Sequence, residues 1–171
     1  RIGTVRRVLV ASPDYLARTV LCLGGLASRD PGGNWANRPA NSLTTIFLPW
    51  FPQTCASGEK RGAAVASLLK EYPKVGWELL LTLLPGVRSS TSGSRKPAWR
   101  TTIPENWSSG ESKNDDYRIF ASLAVNAAMG DVTRLCELIS ELDKLPEESC
   151  RHLLGQISSA GVAGLPDSEK Y

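Results

Sequence analysis

Residues 57–86, SGEKRGAAVASLLKEYPKVGWELLLTLLPG, constrain the fold of this chain more than any other stretch. They read as two short helices joined at Tyr72–Pro73. Ser57 caps the first, and Val65, Leu68, Leu69 and Tyr72 form its apolar stripe. Proline fits the first position of a helix, so Pro73 or Lys74 opens the second. That helix carries Val75, Trp77, Leu79, Leu80, Leu81, Leu83 and Leu84 before Pro85–Gly86 ends it. It is apolar almost all the way round, and a helix without a polar face must be covered on every side. The pair therefore requires a stack of other helices.

The flanks supply them. Ser12–Pro13–Asp14 combines a hydroxyl cap, a first-turn proline and an acid. It predicts a helix to about Ala27, with Leu16, Val20, Leu23 and Ala27 on one face and Gly24–Gly25 weakening its last turn. Ser28–Asn41 reads as a loop. Leu43, Ile46, Phe47 and Trp50 then fall on one helical face, capped by Asn41 or Ser42 and stopped by Pro49 and Pro52. Further on, Asn114–Asp115–Asp116 predicts a cap with first-turn acids, followed by Tyr117, Phe120, Leu123, Ala124, Ala127 and Ala128. Gly130 and Asp131 predict a helix end and a new start. The next inward set is Val132, Leu135, Cys136, Ile139 and Leu142, and Pro146 opens a helix with Cys150, Leu153, Leu154 and Ile157 inward. The fold class is all-α, with about seven helices and no strand. Hairpins at 57–84 and 117–143 suggest an irregular α-solenoid, without the fixed period of tetratricopeptide or ankyrin repeats.

With 171 residues, 42% hydrophobic and 22% charged, the chain can bury a core and does not have a disordered composition. It begins at Arg1, its one methionine is Met129, and IGTVRRVLVAS reads as the tail of a helix. The expectation is a single helical segment, residues 1–171, excised from a larger chain. Charge is uneven: residues 1–100 hold 14 Lys/Arg against 5 Asp/Glu, a balance of +9, and residues 101–171 hold 6 against 12, a balance of −6. Such a dipole can steer a partner or match neighbouring segments of a parent protein.

Cys22, Cys55, Cys136 and Cys150 have no C-x-x-C spacing, and His152 is the one histidine. Zinc requires about four placed ligands, so neither a metal nor another cofactor is expected. Reduced thiols point to a cytoplasmic setting. No apolar run approaches the roughly 20 residues of a membrane span. No GK[ST] loop accompanies the glycines of LCLGGLAS. Asp115–Asp116 and Glu147–Glu148 sit at helix starts, where the macrodipole accounts for them. A Ser–His–acid site would have to use His152, a helical histidine beside Arg151 of the type that is ordinarily structural or solvated. The sequence predicts no enzyme and no catalytic residue.

The remaining feature is the Ser/Gly/Pro-rich loop 86–113. Loops beyond about 12–15 residues are uncommon in compact domains unless functional or disordered. It carries Arg88, Arg95, Lys96, Trp99, Arg100 and Trp107, the candidate binding residues. Three readings stand: the tryptophans pin a crossover onto the helices, the set anchors a protein partner, or cations and indoles together hold nucleic acid.

FLPWFPQT at 47–54, EYPKVGWELLLTLLPG at 71–86 and RKPAWR at 95–100 resemble segments in the helical C-terminal regions of bacterial antiviral-defence STAND-type NTPases. The resemblance covers residues 47–100, about a third of the chain. It implies a helical-repeat array that senses a foreign, phage-encoded protein, with an NTPase core and an effector elsewhere in the parent chain. This segment has no Walker motif, and no functional residue carries over.

Overall fold

The structure is a computed structural model that describes residues 13–35, 37–85 and 115–160. The described residues are helical and contain no strand: α1 (Leu16–Ala27), α2 (Pro39–Phe47), α3 (Gly58–Glu71), α4 (Pro73–Leu83), α5 (Asp115–Ala128), α6 (Val132–Ser140), a 3-10 turn (Leu142–Lys144) and α7 (Glu147–Ala160). The all-α expectation is therefore met. The helices α1 and α2 pack on one another and on the α3–α4 pair. That pair in turn packs on α5, which carries α6 on one side and α7 on another.

The junctions follow local chemistry. The Ser57 hydroxyl accepts from the Lys60 N–H at 3.4 Å, and Asp131 accepts from the Arg134 N–H at 3.1 Å, so both sequence-read caps form. Gly130 has φ +81, a left-handed conformation that suits glycine between α5 and α6. Pro73 occupies the first turn of α4.

Other boundaries move. Helix α1 begins at Leu16, with Pro13–Tyr15 in a turn and no side-chain cap at Tyr15; Ser12 lies outside the described residues. Helix α2 begins at Pro39 with extended Arg38 as its cap, because proline pre-sets the first helical φ. Asn41 and Ser42 consequently lie inside the helix, where the Ser42 hydroxyl donates to the Arg38 carbonyl at 3.1 Å. Asn114 also lies outside the described residues, so its cap is not described.

Leu16, Val20, Leu43, Ile46, Phe47, Val65, Leu68, Leu80, Leu83, Phe120, Val125, Leu138 and Leu153 form the core. Phe47 meets Phe120 edge to face, with centroids 6.1 Å apart and planes at 82°. The inward face of α4 agrees with expectation at Val75, Trp77, Leu79, Leu80 and Leu83, but the helix is not covered all round. Lys74, Glu78 and Thr82, spaced by four, form a narrow exposed stripe. In α6 the inward face is corrected: Leu138 is the buried residue, while Ile139 is 48% exposed and Cys136 is exposed. Trp77 sets that phase, since its Nε1 donates to Glu137 Oε2 at 2.5 Å and Arg134 lies 5.4 Å from its ring centroid. Leu154 on α7 is likewise exposed, whereas Leu153 is buried.

Glycines allow close approach at two seams. A Cβ on Gly76 of α4 would fall 2.5 Å from Leu69 Cα of α3, so these two helices meet backbone to backbone. Tyr72 packs against the Gly24–Gly25 pair of α1; a Cβ at Gly24 would come within 2.3 Å of Leu68 Cδ1 and 2.8 Å of the Tyr72 ring. The glycines that weaken α1 as a helix are the space into which α3 fits.

Candidate functional site

Arg88, Arg95, Lys96, Trp99, Arg100 and Trp107 all lie in the 86–114 stretch, outside the described residues. Within the described residues the most conspicuous surface feature is a different tryptophan, Trp35. It is 79% exposed, although an indole is among the largest apolar groups a fold can bury.

The loop that carries it is tightly organised. After α1 ends, the Asp30 carboxylate becomes a hub: Oδ1 accepts from the Gly32 N–H at 3.1 Å and Oδ2 from Arg38 Nε at 2.9 Å. Arg38 also donates from Nη1 to the Gly33 carbonyl at 3.2 Å. Gly32 and Gly33 have φ of +94 and +111, which lets the chain wrap this carboxylate. The Trp35 carbonyl then accepts from the Arg38 N–H at 3.3 Å and from Asn41 Nδ2 at 3.4 Å. Hydrogen bonds thus hold Gly32, Gly33 and the Trp35 carbonyl while the Trp35 side chain is largely exposed. Arg38, and then the Gly32 N–H, hold the Asp30 carboxyl below its ordinary value of 3.8, so the hub is ionised near neutral pH.

In the same loop Arg29 and Pro31 are also exposed, and Leu26 is 55% exposed at the end of α1. Arg29 makes no ion pair among the described residues, whereas the charge of Arg38 is spent on Asp30. From the sequence Ser28–Asn41 reads as a loop, and its last three residues in fact open α2. Its legible signal was a tryptophan between Gly-Gly and Asn, flanked by an acid and an arginine eight residues apart.

A second constellation was also missed. Asp116, fully buried, was ascribed to the helix macrodipole, but it pairs with buried Arg61 of α3. Arg61 Nη2 lies 2.8 Å from Oδ1 and 2.7 Å from Oδ2, and Nη1 donates to the Ala56 carbonyl. One nitrogen faces both oxygens, so only Oδ1 receives a well-directed bond, and Arg61 Nε stays unpartnered. A Cβ on Gly58 would sit 2.9 Å from Asp116 Oδ1, so the glycine makes room for the carboxylate. With no solvent access, this pair joins α3 to α5 and offers nothing to a ligand.

His152 is exposed on α7, and its polar contact is Gln156 Nε2 at 3.2 Å. Neither Ser122 nor Ser149 hydrogen-bonds to it, so no nucleophile–base pair is assembled there. All four cysteines are free, and none is fully buried as a small hydrophobe would be. Burial pushes the half-buried Cys55 thiol up, which keeps it protonated and unreactive. No cluster of metal-ligating side chains occurs among the described residues, and no helix among them is long and apolar enough to cross a membrane. Comparison with protein-family models, curated proteins and solved structures finds no match for this chain.

Proposed function

We propose that this chain is a non-catalytic helical recognition module that binds a protein partner, with Trp35 as its anchor. The observation that carries the reading is an exposed indole on a backbone fixed by the Asp30–Arg38 hub. Tryptophan is over-represented among residues that dominate interface energies, and fixing it beforehand removes part of the entropic cost of binding. A protein partner is favoured over nucleic acid because phosphate binding needs free cations. Here one of the two nearby arginines is already neutralised by Asp30.

Helix pairs packed mainly on the next pair along the chain support the solenoid reading, the architecture suited to displaying such a surface. The likeness to antiviral sensor arrays extends the proposal to a phage-encoded partner. Its described part, however, includes buried Phe47, Leu48, Trp77, Leu79 and Leu80, which support an architecture rather than a target surface.

The test is selection from a displayed random-peptide library on the wild-type chain, with counter-selection on Trp35→Ala. A consensus whose affinity falls about tenfold or more in Trp35→Ala supports the reading. Peptides that bind both proteins equally, or a salt-sensitive single-stranded DNA complex lost with Trp35, would overturn it.

A further inference from the structure

Between α5 and α7 lies an open groove of about 480 Å³, within the size range of ligand sites. Ile119 and Leu123 give it apolar walls, and Arg118 and Ser122 reach it from α5. The first turn of α7 enters through Glu148 and Ser149. The first backbone bond of that helix closes from the Cys150 N–H to the Pro146 carbonyl at 2.9 Å, so the preceding N–H groups lack intrahelical acceptors. Such a terminus attracts negative charge.

Two independent observations point the same way. Ser149 is only 7% exposed and lines the groove, yet its hydroxyl has no partner among the described residues. Unlike Arg61 Nε and Asp116 Oδ2, this hydroxyl is not sealed in, so it opens onto the groove and can donate to a ligand acceptor there. Arg118, exposed on the opposite wall, makes no ion pair among the described residues.

We infer that the α5/α7 groove binds the C-terminal carboxylate of a peptide ending in an aliphatic residue. Arg118 supplies the charge, the Ser149 hydroxyl and the α7 N-terminus donate to the carboxylate oxygens, and the side chain lies on Ile119 and Leu123. Glu148, a like charge lining the same groove, disfavours a phosphate dianion relative to a singly charged carboxylate. The groove is open rather than enclosed, which lets the rest of a peptide run out into solvent. This site is separate from Trp35 and stands or falls without it.

The experiment is an NMR titration of the isotopically labelled full chain with N-acetyl-leucyl-leucine. Its C-terminal amide, hexanoate and inorganic phosphate are the comparison probes. The acid is expected to give saturable shifts confined to residues 118–123 and 147–152, with affinity about tenfold weaker for the amide and for Arg118→Gln, and about threefold weaker for Ser149→Ala. No localised shift with the acid up to about 10 mM would overturn the site. An equal response to the amide, or unchanged affinity in Arg118→Gln, would remove the carboxylate contact. Hexanoate or phosphate binding more tightly than the dipeptide acid would rule out a peptide C-terminus. The amide comparison uses the wild-type chain, so it does not depend on how any variant folds.

Discussion

Helix α5 has two kinds of neighbour. Against α3 it is sealed: Asp116 is fully buried and paired with Arg61, and Phe120 locks onto Phe47. Towards α7 the same helix presents Arg118 and Ser122 to an open groove, which Ser149 lines from the other helix. Both sides contain an arginine and an oxygen-bearing side chain. On the sealed side the two charges pair with each other, though Arg61 Nε and Asp116 Oδ2 stay without a hydrogen bond, and on the open side Arg118 makes no ion pair among the described residues. A spacing of two residues, Asp116 to Arg118, separates a buried cross-link from an exposed cation, because on a helix that step moves a side chain well around the axis.

The hardest test of this contrast is to remove the cross-link. Asp116→Ala leaves the Arg61 guanidinium buried without a counter-ion and is expected to cost about 3–5 kcal/mol in urea unfolding. Replacing both partners, Arg61→Met with Asp116→Leu, is expected to recover most of that loss, since an apolar pair of similar volume avoids the desolvation cost. A small effect from Asp116→Ala alone would mean the seam is wet, and the two sides of α5 would no longer differ in kind. Next in size is Gly76→Ala. Its new methyl would meet the Leu69 backbone rather than a movable side-chain tip, so a loss of about 1–3 kcal/mol is expected by the same measurement.

How much of this was legible beforehand depends on the range of the interaction. Ser57, Pro73, Gly130 and Asp131 act within one turn of chain, and their roles are readable from spacing alone. The core stripes of α1 to α5 are legible for the same reason, except at Trp50, which the spacing puts on the α2 face but which lies in a turn beyond Phe47, where the helix ends. What escaped was long-range: Arg61 and Asp116 are 55 residues apart, and nothing local in EKRGAA reveals that this arginine turns inward. The phase of α6 was missed likewise, because the Trp77–Glu137 contact that orients it spans 60 residues. The candidate residues at 88–107 lie outside the described residues, and Trp35 was overlooked because its loop has no period to read.

Smaller effects are expected where the structure faces water. Trp35→Ala is expected to change stability by no more than about 0.5 kcal/mol while abolishing partner capture. A larger destabilisation would show the indole to be structural instead. The Asp30–Arg38 hub supplies a pH test of opposite character to the buried pair. The folded-state value of Asp30 is depressed, so its contribution is present above the ordinary 3.8 and is lost as pH falls through the lower native value. The exchange protection factor of the Gly32 amide is expected to hold at neutral pH and to fall only below 3.8. Exchange rates in the loop that follow those of exposed peptides at neutral pH would show that the carboxylate does not organise it.

Tyr72 lying on the Gly24–Gly25 pair also limits the order in which this sequence can change. A methyl at position 24 would collide with Leu68 and with the ring of Tyr72, whereas a smaller residue at 72 meets no such obstacle. Alanine at 24 therefore requires the Leu68 tip and the Tyr72 ring to give way, and it costs least where position 72 has already been reduced. Drift at this seam runs in one direction, and the glycine pair is held in place by residues more than 40 positions away rather than by any demand of its own helix.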